Sequence, residues 1–166
     1  MKTLYLVRHA KSSWEEVELA DFDRPLNNRG KKNAPLMGKI LKKSGQTPDL
    51  ILSSPAQRAK ATAEILAGEL NYPLKKIVFE YEIYEASPEK LLQIIRNQEN
   101  HIEKLMLVGH NPALTLLANQ LTQTLHIENI PTTGIFAVRW DISTWADIQP
   151  NKAQFLFFDY PKKHTE

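Results

Sequence analysis

The sequence predicts an α/β fold of three layers, with helices on both faces of a mostly parallel central sheet of about six strands. Two observations carry that expectation. Short apolar runs alternate along the chain with longer amphipathic segments of helical length. Three of the short runs, Leu4-Tyr5-Leu6-Val7, Leu50-Ile51-Leu52 and Leu105-Met106-Leu107-Val108, are continuous rather than alternating. A strand covered on both faces reads that way.

Taken in order, strands are expected over 3–8, 49–53, 76–80, 104–109, 133–140 and 153–159, and helices over 28–43, 55–70, 88–98 and 112–122. Three helix starts use one device. Ser54-Pro55, Ser87-Pro88 and Asn111-Pro112 each place a capping side chain before a proline at the first helical position. Gln57 completes a capping-box pattern after Ser54. The last two strands are joined by a polar loop with no helix-sized segment, so an antiparallel pair at one edge is expected. The chain has 166 residues, enough for one domain, expected over 1–160 and followed by a frayed tail, 161–166.

Composition narrows the function classes. The hydrophobic fraction of 42% suits a single core, and no apolar stretch approaches the ~18 residues needed to span a bilayer. No signal-peptide pattern follows Met1, so a cytoplasmic protein with no membrane partner is expected. The absence of cysteine excludes disulfides, thiolate metal sites and a cysteine nucleophile. A net charge of +2 gives no concentrated basic face for nucleic acid. Lys31, Lys32, Lys39, Lys42 and Lys43 cluster locally, as a solvated helix face or a docking surface for an acidic protein. Nothing sets the oligomeric state; a monomer is the simpler expectation.

Chemistry concentrates at strand ends, where open α/β sheets bind ligands. Arg8 and His9 follow the first strand, Ser53-Ser54 leads from the second towards Arg58, and Gly109-His110 ends the fourth. Gly109 is read as allowing a sharp turn. A charged residue and a histidine at the end of an apolar strand are costly to bury without a partner. A neutral imidazole can attack phosphorus, and the phosphoimidazole so formed is labile to water. Arg8 and Arg58 offer planar donor forks that balance a dianion, with His110 as a third donor. No metal or cofactor is required by such a set.

These residues resemble the motifs of the histidine phosphatase superfamily (phosphoglycerate mutase-like). Arg8-His9-Ala10 resembles its Arg-His-Gly signature, with alanine for glycine. Ser53 to Ala63 resembles its second motif, Gly109-His110-Asn111-Pro112 its third, and Arg24-Pro25-Leu26-Asn27-Asn28-Arg29-Gly30 its turn before the first helix. The stretch 59–108 has no room for the large cap insertion of the mutases, so the chain is similar to the compact SixA-type phosphohistidine phosphatases. The resemblance implies His9 as the phosphorylated nucleophile, with Arg8, Arg58 and His110 holding the phosphoryl group. Glu82, within Phe79 to Glu85, is the best positional match to the general acid of larger relatives; an exposed strand-edge glutamate is the other reading. Ser12 and the backbone at Asn111 are further candidate phosphate donors. Asp21-Phe22-Asp23 matches the Asp-x-Asp of another phosphatase class, but Pro25 and the lack of a preceding strand argue against it.

The expectation is therefore a metal-independent phosphatase acting on phosphohistidine in a signalling or phosphotransfer protein. The alternatives are a small-molecule phosphomonoesterase with the same site and a non-catalytic phosphate-binding module.

Overall fold

The computed structural model describes residues 1–165. Its strands are β1 (Lys2–Arg8), β2 (Leu50–Ser53), β3 (Val78–Phe79), β4 (Lys104–Gly109), β5 (Ile135–Trp140) and β6 (Gln154–Asp159). Its α-helices are α1 (Asn28–Lys43), α2 (Gln57–Glu69), α3 (Pro88–Arg96) and α4 (Ala113–Leu121). They form one six-stranded sheet in the order β3-β2-β4-β1-β5-β6. The pairs β3–β2, β2–β4 and β4–β1 are parallel, while β1–β5 and β5–β6 are antiparallel. This is the expected three-layer α/β architecture. β6 is the edge strand of the expected antiparallel pair, whereas β5 lies between β6 and β1.

The continuous apolar runs explain the layers. Successive strand side chains point to opposite faces. Leu4, Leu6, Leu105, Leu107, Phe136 and Val138 pack with Leu91, Ile95, Leu114 and Leu117 of α3 and α4. Tyr5, Val7, Ile51, Met106, Val108 and Ala137 pack on the other face with Met37, Leu41, Ala63 and Leu66 of α1 and α2. Each fully buried Leu or Val contributes about 1.5–3 kcal/mol. The alternation of faces, rather than any one contact, therefore fixes the register.

Helix starts depart from expectation. Ser87 caps α3, accepting from the Lys90 amide at 3.1 Å, with Pro88 at the first helical position. The other two prolines do not open helices. Ser54 Oγ instead accepts from the Ala56 amide at 3.2 Å, and α2 begins at Gln57, which is therefore not the third residue of a capping box. The Asn111–Pro112 peptide is cis, and α4 begins at Ala113. Asn111 still serves that end, its Oδ1 accepting from the Thr115 amide at 3.2 Å. The expected strand over 76–80 shrinks to the two exposed residues of β3, preceded by a 3₁₀ turn, Leu74–Lys76. In the described part of the expected tail, Pro161–His164 form a 3₁₀ turn rather than a frayed end, with Pro161 buried and His164 paired with Asp159; Glu166 lies outside the described residues.

One contact positions the site directly. A Cβ on Gly30 would lie 2.2 Å from the Lys11 carbonyl oxygen, so glycine alone lets α1 sit against the loop after His9. Asn27 caps α1, accepting from the Gly30 amide at 2.8 Å, and its own amide donates to that Lys11 carbonyl at 2.9 Å.

Candidate active site

Three neighbouring parallel strands end together. The His9 amide donates to the Gly109 carbonyl at 3.1 Å, and the Ser54 amide to the Val108 carbonyl at 3.0 Å. The sheet thereby sets His9, Ser54 and His110 side by side, and the two imidazole rings lie 5.1 Å apart between centroids.

The two rings are held by opposite nitrogens. His9 Nδ1 lies 2.8 Å from the carbonyl of Ala10. A carbonyl only accepts, so Nδ1 carries the hydrogen and the Nε2 lone pair is left bare in the neutral ring. His110 Nε2 instead lies 2.7 Å from Ser54 Oγ. Ser54 Oγ accepts from the Ala56 amide, and its hydroxyl hydrogen is free to donate to His110 Nε2; in that tautomer the ring hydrogen sits on Nδ1. That Nδ1 is buried with no protein partner.

Burial keeps both rings neutral. It pushes His9 down to about 3, and the charges of His110, Arg58 and Arg8 act in the same direction. It pushes His110 down to about 4, again with help from Arg58 and Arg8. At neutral pH both rings are thus uncharged, and His9 presents a bare Nε2 lone pair.

The arginines complete the cradle. Arg8 Nη1 donates to the Ile130 carbonyl at 3.0 Å. Arg58 Nη1 and Nη2 reach the main-chain oxygen and Oδ2 of Asp21 at 2.7 and 3.0 Å. The Nε of each is buried and unpartnered among protein atoms. Buried donors without partners are costly and rare. Arg8 Nε, Arg58 Nε and His110 Nδ1 together are a donor set suited to an anion.

The remaining expected residues divide. Ser12 is buried and its Oγ accepts from Arg24 Nη1 at 2.6 Å, which leaves its own hydrogen to donate. The Asn111 side chain is spent on Ile130, Asn129 and Thr115, so only its backbone is available to an anion. Glu82 is not brought to the histidines: its carboxylate is exposed and paired with Lys90 at 3.1 Å. It lines a different depression from His110, whereas Glu85 shares a cleft of about 300 Å³ with Tyr84, His110 and Pro112. Trp14 lies on the rim, 70% exposed and stacked 3.6 Å over the Arg24 guanidinium.

One expectation about backbone also changes, at Gly109. Ala10 has no positive φ; its methyl is fully buried against Leu26 and Ala34, and its amide donates to Thr62 Oγ1 at 2.9 Å. Gly109 has no positive φ either, and its lack of a side chain matters because a Cβ would crowd Ile83 at 3.3 Å. The strained residue is Thr133, with φ 60°. Such a conformation in a β-branched residue costs about 1–3 kcal/mol. Its amide donates to the carbonyls of Arg8 and His9 at 3.0 and 3.2 Å, so the strain is spent holding the turn that carries both. Asp21 and Thr133 are the residues that sequence reasoning missed. For Asp21 the only signal was its place three residues before Arg24.

Comparison with known proteins identifies the family and the fold. The histidine phosphatase superfamily (branch 1) matches residues 4–87. An uncharacterised protein of Mycobacterium tuberculosis is 30% identical over 165 residues, covering 94% of this chain and 100% of its own length. Another, from a Picosynechococcus strain, is 34% identical over 157 residues, covering 93% of each. Among solved structures, a protein from Agrobacterium tumefaciens assigned as the phosphohistidine phosphatase SixA superposes with a TM-score of 0.80 at 28% identity, covering 96% of this chain and 98% of its own. A protein histidine phosphatase SixA complexed with tungstate superposes with a TM-score of 0.83 at 20% identity, covering 98% and 99%. The chain belongs to the histidine phosphatase superfamily of histidine-dependent phosphatases, in its compact SixA-type branch.

Proposed function

We propose that this enzyme, folded as one catalytic domain over 1–160, removes phosphoryl groups from phosphohistidine on a signalling or phosphotransfer protein, through a covalent intermediate on His9 and without a metal ion. The observation that carries the reading is the bare Nε2 of a neutral His9 beside three buried, unpartnered donors, Arg8 Nε, Arg58 Nε and His110 Nδ1. The His9 Nε2 lone pair attacks phosphorus. The bond from phosphorus to the leaving nitrogen breaks, and that nitrogen keeps the electron pair and takes a proton from solvent. Water then attacks the phosphoimidazole, releasing inorganic phosphate and neutral His9. The donors meet charge spread over the phosphoryl oxygens, where such preorganised groups supply most of the rate. Ser12 Oγ and the Asn111 backbone add donors at the rim of the cradle.

The protein-sized substrate is favoured by the exposed mouth of the site. Trp14, stacked on Arg24, and Tyr81, packed against Tyr84, are 70 and 68% exposed there, and among the described residues no inserted cap follows α2. A nitrogen leaving group also suits a cleft in which Glu82 is turned to Lys90. The SixA neighbour complexed with tungstate is described as a protein histidine phosphatase, which agrees with the same substrate class.

The test is a substrate panel in the presence of EDTA. The reading expects phosphohistidine protein to be turned over with a higher kcat/KM than sugar or nucleotide monophosphates, unchanged by chelation. Preference for small monoesters would assign the site to a small-molecule phosphomonoesterase. Phosphate binding without turnover of any substrate would leave a binding module. Activity lost to EDTA and restored by Mg²⁺ would end the metal-free mechanism.

A further inference from the structure

We propose that Asp21 is a positioning residue that holds the Arg58 guanidinium in its phosphoryl-binding orientation. This rests on the reading that Arg58 binds the phosphoryl group. Asp21 lies in a 3₁₀ turn, Asp21–Asp23, in the loop that passes over the site before α1. Its carboxylate receives four hydrogen bonds from three side chains. Oδ1 accepts from Arg24 Nε and Nη2, both at 3.1 Å. Oδ2 accepts from Arg58 Nη2 at 3.0 Å and from the Tyr84 hydroxyl at 2.6 Å. The Asp21 main-chain oxygen adds Arg58 Nη1 at 2.7 Å.

The consequence for Arg58 is geometric. Both terminal nitrogens of its planar fork are fixed by one residue, which sets the plane of the guanidinium and the direction of the remaining Nε–H. That Nε is the atom left buried and unpartnered. The consequence for Asp21 is chemical. The Tyr84 hydrogen bond, with those of Arg58 and Arg24, holds its carboxyl down to about 2, so it has no proton to give near neutral pH. It is therefore unsuited to act as a general acid although it lies at the site.

Charge supports the same role. Arg8, Arg24 and Arg58 carry three positive charges, and one carboxylate leaves two, which match a phosphoryl dianion. Tyr84 extends the influence of Asp21 to the second histidine, because its ring meets His110 edge-on at 5.6 Å between centroids. One carboxylate thus ties together the loop before α1, the start of α2 and the turn before α3. A competing idea is that Asp21 occupies the arginines in place of substrate. In that case its removal would tighten phosphate binding.

The experiment compares wild type with Asp21→Ala, Asp21→Asn and Tyr84→Phe. Inorganic phosphate binding is measured by calorimetry, and the Arg58 Nε–H signal is followed by ¹H–¹⁵N NMR. The expected result is phosphate affinity about tenfold weaker in Asp21→Ala, on the scale seen when orienting partners of binding groups are removed. Partial recovery is expected in Asp21→Asn and little change in Tyr84→Phe. The Arg58 Nε–H signal, resolved in wild type, is expected to collapse to an averaged position in Asp21→Ala. An unchanged Arg58 signal, or phosphate affinity equal to or above wild type, would overturn the proposal. If Asp21→Ala fails to fold, Asp21→Asn carries the same two measurements, with a smaller loss expected and the same overturning results. Failure of the wider reading looks different: the wild type then forms no phosphoenzyme on His9, while the Asp21–Arg58 coupling is still read by phosphate and NMR.

Discussion

The ends of β1 and β4 lie side by side and carry the same residue type in opposite states. At the end of β1, a backbone carbonyl takes the His9 Nδ1 hydrogen and leaves Nε2 bare. At the end of β4, Ser54 Oγ meets the His110 Nε2 and leaves Nδ1 buried without a protein partner. Burial drives both rings neutral. Charge therefore does not distinguish them; the partner of each ring does. In the proposed mechanism the first ring is the nucleophile and the second a hydrogen-bond donor, a division that follows from one resting on a carbonyl and the other on a hydroxyl.

The comparison can be broken by removing each ring in turn. His9→Ala is expected to lower kcat by at least about 10⁴-fold, the scale of losing a nucleophile. The same variant should keep the wild-type circular dichroism spectrum. His110→Ala should cost about 10²–10³-fold in kcat, as for the loss of one preorganised donor. It should still form the phosphoenzyme, which rapid-quench labelling would show. Equal losses in the two variants would mean that the rings share one role.

A finer cut removes only the partner that orients His110. Ser54→Ala leaves His110 in place but frees its tautomer, and about a tenfold loss of kcat/KM is expected. Inhibition constants for inorganic phosphate should rise in parallel, since the missing element is a donor to phosphate. An unchanged inhibition constant would remove Ser54 from this account.

The smallest effect is on stability against pH. Both histidines have folded values, about 3 and about 4, below the ordinary 6.5 of an unfolded chain. Between those limits the unfolded state binds more protons, so stability rises with pH and the gain is complete above 6.5. The melting temperature should fall as pH drops from 7 towards 4. The fall should be shallower in a His9→Ala/His110→Ala double variant, measured in the same buffers. Parallel curves would show that burial does not perturb these rings.

Much of this was legible in the sequence because the fold is written in runs. Leu4–Val7 and Leu105–Val108 are apolar at every position, which only a strand covered on both faces requires. The strand ends then placed Arg8, His9, Arg58 and His110 without further information. What could not be read was set by partners distant in the chain. Glu82 matched an expected position, but Lys90, one helical start away, holds its carboxylate. Ser54-Pro55 read as a helix cap, while the Ser54 hydroxyl is committed to His110, 56 residues later. The Asp21-Phe22-Asp23 segment invited comparison with the wrong catalytic motif. Its meaning depends on Arg58 and Tyr84, which local pattern does not connect to it. The alanine in place of glycine at position 10 is accommodated in a way only packing shows: its methyl is buried with Leu26 and Ala34 and its φ is ordinary.

The central claim is that phosphoryl transfer passes through His9 Nε2. Brief incubation with ³²P-labelled phosphohistidine protein, followed by an alkaline quench and peptide mapping by mass spectrometry, tests it directly. The account predicts one acid-labile, alkali-stable phosphoryl group, on Nε2 of His9 and absent from His9→Ala. Label on another residue, or steady turnover with His9 unlabelled throughout, would contradict it.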